Sequence, residues 1–264
     1  MPPYMDLRVL GGFGSVGVHQ RPSAFLINGR TLLDAGTVPG ALSVPEQFAL
    51  EHALISHSHL DHTVGLAFLA ETLALVNEAE GQIAARPLQV LSMPSVVAGL
   101  RDSIFNNTVW PDFSRIPPHG PVLGYRELPE GQEQRVGDLW VTPIAVAHTI
   151  PTCGFIVHDG RTGLVYSGDT GPTTAIWRAA RDCPGLTAVI LECSFPNRLD
   201  KLADLAGHLT PRRLERELEK LPPDVPVWIF HIKAPFYDET AAELSRIDGA
   251  SRLVLLEQDK TYIL

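Results

Sequence analysis

Short apolar runs, many of them rich in β-branched residues, recur along the chain, and most are closed by glycine, asparagine, aspartate or histidine. Residues 7–10, 24–27 and 31–34 read as three successive strands with glycine-containing turns between them. Residues 52–56 form a further strand that runs straight into a histidine-rich segment. Residues 64–76 then stay apolar almost all round, the pattern of a helix packed deeply on a sheet. A strand over 88–91 and a helix over 95–105 follow, before an excursion over 106–125 rich in proline, asparagine and aromatics. Ordered loops of that length are disproportionately functional.

The second half keeps the same rhythm. Residues 135–147 read as a hairpin turning at Gly137-Asp138. Strands are expected over 154–158, 164–167, 188–191, 227–230 and 253–256. Thr210-Pro211 opens a helix, with a hydroxyl at the N-cap and proline at the first helical position, and Leu214, Leu218 and Leu221 give it an apolar stripe. A last helix is expected near 239–245. Strand blocks interspersed with helices, without strict alternation, predict an α/β protein of two packed sheets with helices outside. No linker divides the chain, so residues 1–264 are expected to form one domain.

Composition narrows the partners. The formal net charge is −9 and no basic stripe is visible, which disfavours a nucleic-acid groove. Cys153, Cys183 and Cys193 make no Cys-x-x-Cys pair, the usage of reduced thiols in a cytosol-like compartment. Residues 1–10 lack the charged and apolar regions of a secretory signal, and the apolar stretch over 64–76 is too short to cross a bilayer. A cytoplasmic protein without membrane contact is expected. A homodimer is left open.

The candidate chemistry lies in His57-Ser58-His59-Leu60-Asp61-His62. Imidazole and carboxylate suit hydrolytic transition metals. At a strand-to-helix turn, His57 and His59 can point to one side while Asp61 and His62 reach a second point nearby. A structural zinc site is the rival, but such sites favour cysteine-rich, closed tetrahedral sets.

This run resembles the signature of the metallo-β-lactamase superfamily. The resemblance extends to Leu33-Asp34-Ala35-Gly36, Val146-Ala147-His148-Thr149, Ser167-Gly168-Asp169-Thr170 and Phe230-His231-Ile232-Lys233, in the family's order. It implies a four-layer αβ/βα sandwich with two divalent metals, zinc first and manganese or iron as alternatives, at one sheet edge. It assigns His57, His59 and His148 to one metal and Asp61, His62 and His231 to the other, with Asp169 bridging. Asp34 would orient ligands through hydrogen bonds. Each of these residues closes an apolar strand, where a buried charge is tolerable only if paired or metal-bound.

Finer features resemble the class II cyclic-nucleotide phosphodiesterases. They are the His-Leu-Asp-His form followed by Thr63-Val64-Gly65, the segments 104–106 and 109–113, Leu191-Glu192-Cys193-Ser194-Phe195, Gly207-His208-Leu209-Thr210-Pro211 and His231-Ile232-Lys233. Thr63 departs from that family's pattern, which has an aliphatic residue there. The resemblance implies hydrolysis of 3′,5′-cyclic nucleotides (cAMP or cGMP) to 5′-mononucleotides by a hydroxide bridging the metals, with Asp61 in the catalytic set. His208, backed by Glu192, is the candidate general acid. Lys233 would lie near developing negative charge, and Trp110 and Phe113 could stack on a base or simply pack. A ribonuclease Z-like enzyme, a lactonase or thioesterase, and a non-catalytic metal-binding sensor remain as alternatives on the same fold. His19, His52, His119 and His158 lack ligand spacing and are expected on the surface or in loops, and Gly11-Gly12-Phe13-Gly14 is expected to serve tight turns.

Overall fold

The computed structural model describes residues 4–80 and 86–264, so residues 1–3 of the stretch tested for a signal lie outside the described residues. In chain order, β1 (Asp6–Gly11), β2 (Ala24–Ile27) and β3 (Thr31–Leu33) form an antiparallel meander. After the short helix α1 (Val44–Phe48), β4 (His52–Leu54) pairs parallel with β3. Helix α2 (Leu60–Glu80), β5 (Leu88–Ser92), helix α3 (Pro94–Ser103) and β6 (Leu123–Glu127) continue this sheet by parallel pairing.

The second sheet begins with the hairpin β7 (Gln134–Val136) and β8 (Leu139–Ala145), which turns at the expected Gly137-Asp138. It runs on through β9 (Cys153–His158), β10 (Gly163–Tyr166), α4 (Ala175–Ala180) and β11 (Leu186–Glu192). Then come α5 (Asp200–Ala206), α6 (Pro211–Leu218), β12 (Val227–Phe230), α7 (Tyr237–Leu244) and β13 (Leu253–Leu255). The closing strand β14 (Thr261–Ile263) returns to the first sheet, antiparallel to β1. The strand orders are β14-β1-β2-β3-β4-β5-β6 and β13-β12-β11-β10-β9-β8-β7, two mixed sheets with helices on the outer faces. This is the expected αβ/βα layering.

Two apolar layers hold it together. One lies between the sheets and under α2 and α3, and includes Leu7, Phe25, Leu54, Leu69, Val90, Tyr166 and Phe230. The other packs Ile176, Trp177, Leu214 and Leu218 of the outer helices on Val165, Val189 and Leu191 of the second sheet. Beneath the sheet edge that carries the histidines, Phe25 meets Tyr166 and Phe230 edge-on, with ring centroids 5.7 and 5.5 Å apart. These rings tie β2 of one sheet to β10 and β12 of the other.

The departures from the sequence reading have local causes. Helix α2 starts at Leu60 because Asp61 and His62 occupy its first turn, where polar side chains hide the apolar periodicity. The excursion ends at β6, whose Gly124, Arg126 and Glu127 mask an edge strand. Helices α1, α4 and α5 and strand β14 are too short for periodicity to declare them. The Thr210 hydroxyl does not cap α6; it donates to Asp200 Oδ1 at 3.2 Å, while proline at the helix start does serve as expected. Among the described residues no helix is long and apolar enough to cross a membrane.

Phe25→Ala should destabilise the protein by about 3–5 kcal/mol, the usual range for a buried Phe truncation. The midpoint of urea unfolding measures it, and an unchanged midpoint would mean that this aromatic contact does not hold the sheets together.

Candidate metal centre

The site forms where strand ends from both sheets meet. Asp34 follows β3, the His57–His62 run follows β4, His148 follows β8, Asp169 follows β10, Glu192 is the last residue of β11, and His231 follows β12. Asp34 and His231 both adopt left-handed backbone conformations (φ 55° and 68°), which costs a non-glycine residue about 1–3 kcal/mol. Nearby glycines permit the crowding this requires. A Cβ on Gly36 would lie 2.0 Å from the Asp61 carbonyl oxygen, and one on Gly14 would lie 2.7 Å from His231 Nδ1. The glycine run therefore lets backbone approach His231, whose N–H donates to Gly12 O at 2.6 Å. Gly11, Gly12 and Gly14 are absent from the positive-φ glycines; a Cβ on Gly11 would lie 2.1 Å from Pro22 O and one on Gly14 2.5 Å from His231 O, so these two serve close backbone approach.

The side chains converge in two groups, His57, His59, His148 and Asp169, and Asp61, His62 and His231, with the ligand atoms of each within 4.8 Å of one another. In the first, His59 Nδ1 is 3.0 Å from His57 Nε2 and 3.3 Å from His148 Nε2. In the second, His62 Nε2 is 3.0 Å from His231 Nε2, which is 3.3 Å from Asp61 Oδ2. Asp169 reaches both groups: its oxygens lie 3.7 Å from His57 Nε2 and 3.2 Å from both His62 Nε2 and His231 Nε2.

Most of the rings are held from behind. His57 Nδ1 meets Ser56 Oγ at 2.9 Å, His62 Nδ1 meets Asp34 Oδ2 at 2.6 Å, His148 Nδ1 meets Gly207 O at 2.9 Å, and His231 Nδ1 meets Ser194 Oγ at 2.9 Å. The buried Asp34 carboxylate also accepts from Ser56 N and Oγ and from the Tyr166 hydroxyl, at 2.6, 2.7 and 2.5 Å. Outer partners of this kind fix the tautomer and turn the inner lone pair toward the centre.

The electrostatics favour a cation. Burial pushes His57 well down, with His62 adding to the effect, and burial brings His231 down to about 4. Those rings are neutral donors. Burial opposes ionisation of Asp169 and Asp61, yet neighbouring histidines hold both below the usual carboxylate range. Burial alone would lower His62, but Asp169 and Asp34 at its two ring nitrogens drive it upward. Asp169 Oδ1 is buried and receives no well-directed hydrogen bond, and imidazole nitrogens crowd one another at about 3 Å. Such an arrangement is costly unless positive charge sits within it. The donor set fits divalent metal ions.

A further imidazole borders the cluster. His208 Nδ1 is 2.7 Å from Glu192 Oε1 and 4.0 Å from Asp169 Oδ2, and its ring stacks on His231 with centroids 5.3 Å apart. Burial pushes this imidazole down, but the Glu192 carboxylate and its hydrogen bond outweigh it, and the net direction is upward. Glu192 also accepts from Thr170 N and Ser194 Oγ, at 3.1 and 3.0 Å. Lys233 Nζ donates to Gly14 O at 2.5 Å and lies 3.4 Å from Asp61 Oδ2, so it is tied into the wall of the site.

The remaining sequence candidates lie elsewhere. Phe113 is 5% exposed within the core, and Trp110 donates its indole N–H to Ala67 O at 3.0 Å and packs on Phe68. Phe113 belongs to the core, and Trp110 is partly buried against it. His119 is exposed beside Glu78 and His52 is half-buried at the start of β4, but His158 is buried on β9 against Glu133 and departs from the surface-or-loop expectation. Cys153, Cys183 and Cys193 are unpaired and buried, and burial pushes all three thiols up. Sequence reasoning gave no role to Ser56, Tyr166 or Ser194. Ser56 and Tyr166 adjoin motif residues and Ser194 stands inside the 191–195 segment, which is the one signal they offered.

A family model described as "Beta-lactamase superfamily domain" matches residues 30–232. The chain is 27% identical over 212 residues to a probable 3′,5′-cyclic-nucleotide phosphodiesterase of Yersinia pestis, covering 69% of this chain and 57% of that protein. It is 34% identical over 108 residues to ribonuclease Z of Halorubrum lacusprofundi, covering 38% of this chain and 33% of that one. The chain thus spans little more than half of the first relative's length and a third of the second's. Among solved structures, the metallo-beta-lactamase fold protein YhfI from Bacillus subtilis superposes with a TM-score of 0.77 at 15% identity, covering 99% of this chain and 100% of that one.

Zinc added to chelator-treated protein should raise its melting temperature, since saturation about 1,000-fold above Kd adds about 4 kcal/mol. Asp169→Ala should remove most of that rise. Equal shifts in the two proteins, read by thermal unfolding, would deny Asp169 a part in metal binding.

Proposed function

We propose that this chain, which belongs to the β-lactamase superfamily, is a dinuclear metal-dependent phosphodiesterase that converts 3′,5′-cyclic nucleotides (cAMP or cGMP) to 5′-mononucleotides. His57, His59 and His148 would hold one divalent ion and Asp61, His62 and His231 the other, with Asp169 shared. The nitrogen-rich donor set puts zinc ahead of harder ions, with manganese and iron as alternatives. Bound there, the metals would polarise the phosphate and supply a nucleophile at neutral pH.

The observation that carries the phosphodiester reading is the His208–Glu192 pair, 2.7 Å between Nδ1 and Oε1, beside the cluster. Glu192 accepts the Nδ1 proton, so His208 Nε2 is the nitrogen left to deliver a proton to a departing 3′-alkoxide. A poor leaving group gains most from such an acid. A lactam or lactone reading leaves this buried pair without a task. Lys233, held between Gly14 O and Asp61, steadies Asp61 and adds positive charge to one wall.

The ribonuclease Z-like reading keeps one specific support, the shorter match to that protein. The formal net charge of −9 argues against an RNA duplex as substrate, because phosphate contacts supply most of the affinity for nucleic acid. Reduced, buried thiols suit a cytoplasmic location.

Purified protein with zinc or manganese should release 5′-mononucleotide from cAMP or cGMP. His208→Ala should cut turnover about 10²–10⁴-fold, the usual worth of a positioned acid, with metal content unchanged. His59→Ala should lose metal and turnover together. Cleavage of RNA 3′-trailers with inertness toward every cyclic nucleotide would transfer the assignment to the ribonuclease reading, and undiminished turnover of His208→Ala would remove the acid.

A further inference from the structure

We propose that the Ser194 hydroxyl is a positioning residue that sets His231 and the Glu192–His208 pair in mutual register; only its leaving-group consequence rests on the phosphodiesterase reading. Ser194 is fully buried two residues beyond Glu192. Its Oγ lies 2.9 Å from His231 Nδ1, 3.0 Å from Glu192 Oε2 and 3.2 Å from His208 Nδ1.

A hydroxyl has one proton to donate and lone pairs to accept with, while an ionised carboxylate can only accept. The Ser194 O–H therefore goes to Glu192 Oε2, and Oγ accepts from His231 Nδ1–H. This sets the His231 tautomer: Nδ1 keeps the proton, and Nε2 turns its lone pair toward Asp61, His62 and Asp169. The same bond orients the Glu192 carboxylate so that Oε1 remains for His208 Nδ1–H at 2.7 Å. His208 Nε2 is then the ring nitrogen left toward substrate.

Ser194's backbone makes the same links. Ser194 N donates to Leu209 O at 3.0 Å, beside His208, and Lys233 N donates to Ser194 O at 3.1 Å, just beyond His231. One residue thus spans the segment that carries a candidate metal ligand and the segment that carries the acid. An alanine here would leave His231 Nδ1 and Glu192 Oε2 each short of a partner inside a buried site.

The test compares wild type, Ser194→Ala and Ser194→Thr in two measurements. Zinc affinity of chelator-treated protein is read by competition with a chromogenic chelator. Turnover at saturating zinc is read on bis(p-nitrophenyl) phosphate and on diphenyl phosphate, whose poorer leaving group depends more on the acid. Ser194→Ala should bind zinc about 10–100-fold more weakly, the usual effect of losing an outer partner of a ligand. It should also lose more turnover on diphenyl phosphate than on the nitrophenyl ester, and threonine should restore both. Wild-type zinc affinity in Ser194→Ala, equal losses on the two esters, or failure of threonine to restore would each overturn the proposal. Ser194→Cys, which keeps the volume but is a weak hydrogen-bonding group, takes the place of alanine if that variant does not fold by circular dichroism. A wild type that cleaves the aryl esters but no cyclic nucleotide defeats the substrate reading alone, and the zinc comparison needs no turnover at all.

Discussion

Asp169 is a carboxylate with 1% exposure placed where two sheets meet, and the surroundings answer to its charge. A lone buried carboxylate would protonate or pull the fold open to reach water. Here three imidazoles, His57, His62 and His231, stand within 3.7 Å of its oxygens, two delivered just beyond buried strands and His62 by the first turn of α2. The inner ring nitrogens of neighbouring histidines also crowd one another at about 3 Å. A site so built is stable when positive charge lies inside it, and the metal reading follows from that physics as much as from family membership.

The backbone around this charge is shaped to bring donors close. Left-handed Asp34 and His231 each break a strand sharply so that a side chain turns back over the sheet edge. Gly14 and Gly36 remove the Cβ atoms that would strike His231 and the Asp61 carbonyl. The aromatic contact of Phe25 with Tyr166 and Phe230 lies just beneath, and Tyr166 belongs to both layers: its ring packs in the core while its hydroxyl meets Asp34. Packing between the sheets and orientation of the candidate metal ligands are therefore one structural problem.

The same carboxylate chemistry is used twice with different results. Asp169 sits among several imidazoles in a cluster whose donor set fits a cation. Glu192 faces an imidazole that presents a proton, and with Ser194 it turns His208 into an oriented donor. Both rings are tied from behind at Nδ1, so the outcome depends on the partner: a neutral hydroxyl holds His231 and a carboxylate holds His208. Two histidines whose rings stack 5.3 Å apart thus acquire opposite chemistry from their outer partners.

The sequence alone determined the strand rhythm, the layering and the metal-ligand candidates, because each candidate closes a short apolar run and the His57–His62 cluster is too dense for ordinary packing. It also determined the pairing of His208 with Glu192, through motifs in a recognisable order. It could not determine α4, α5 or β14, whose lengths of three to seven residues leave no usable period. It could not separate turn from contact in the glycine run, since the close approach of Gly14 to His231 leaves the same mark as a demand for a turn. It left Trp110 and Phe113 between substrate and packing, and only the tertiary structure buried Phe113 in the core and laid Trp110 against Phe68. Ser56, Tyr166 and Ser194 were silent for the same reason: a buried hydroxyl looks like any other small polar or aromatic residue until the fold shows which lone pair stands opposite it. Hydrogen-bond direction is a property of space, and the chain order does not contain it.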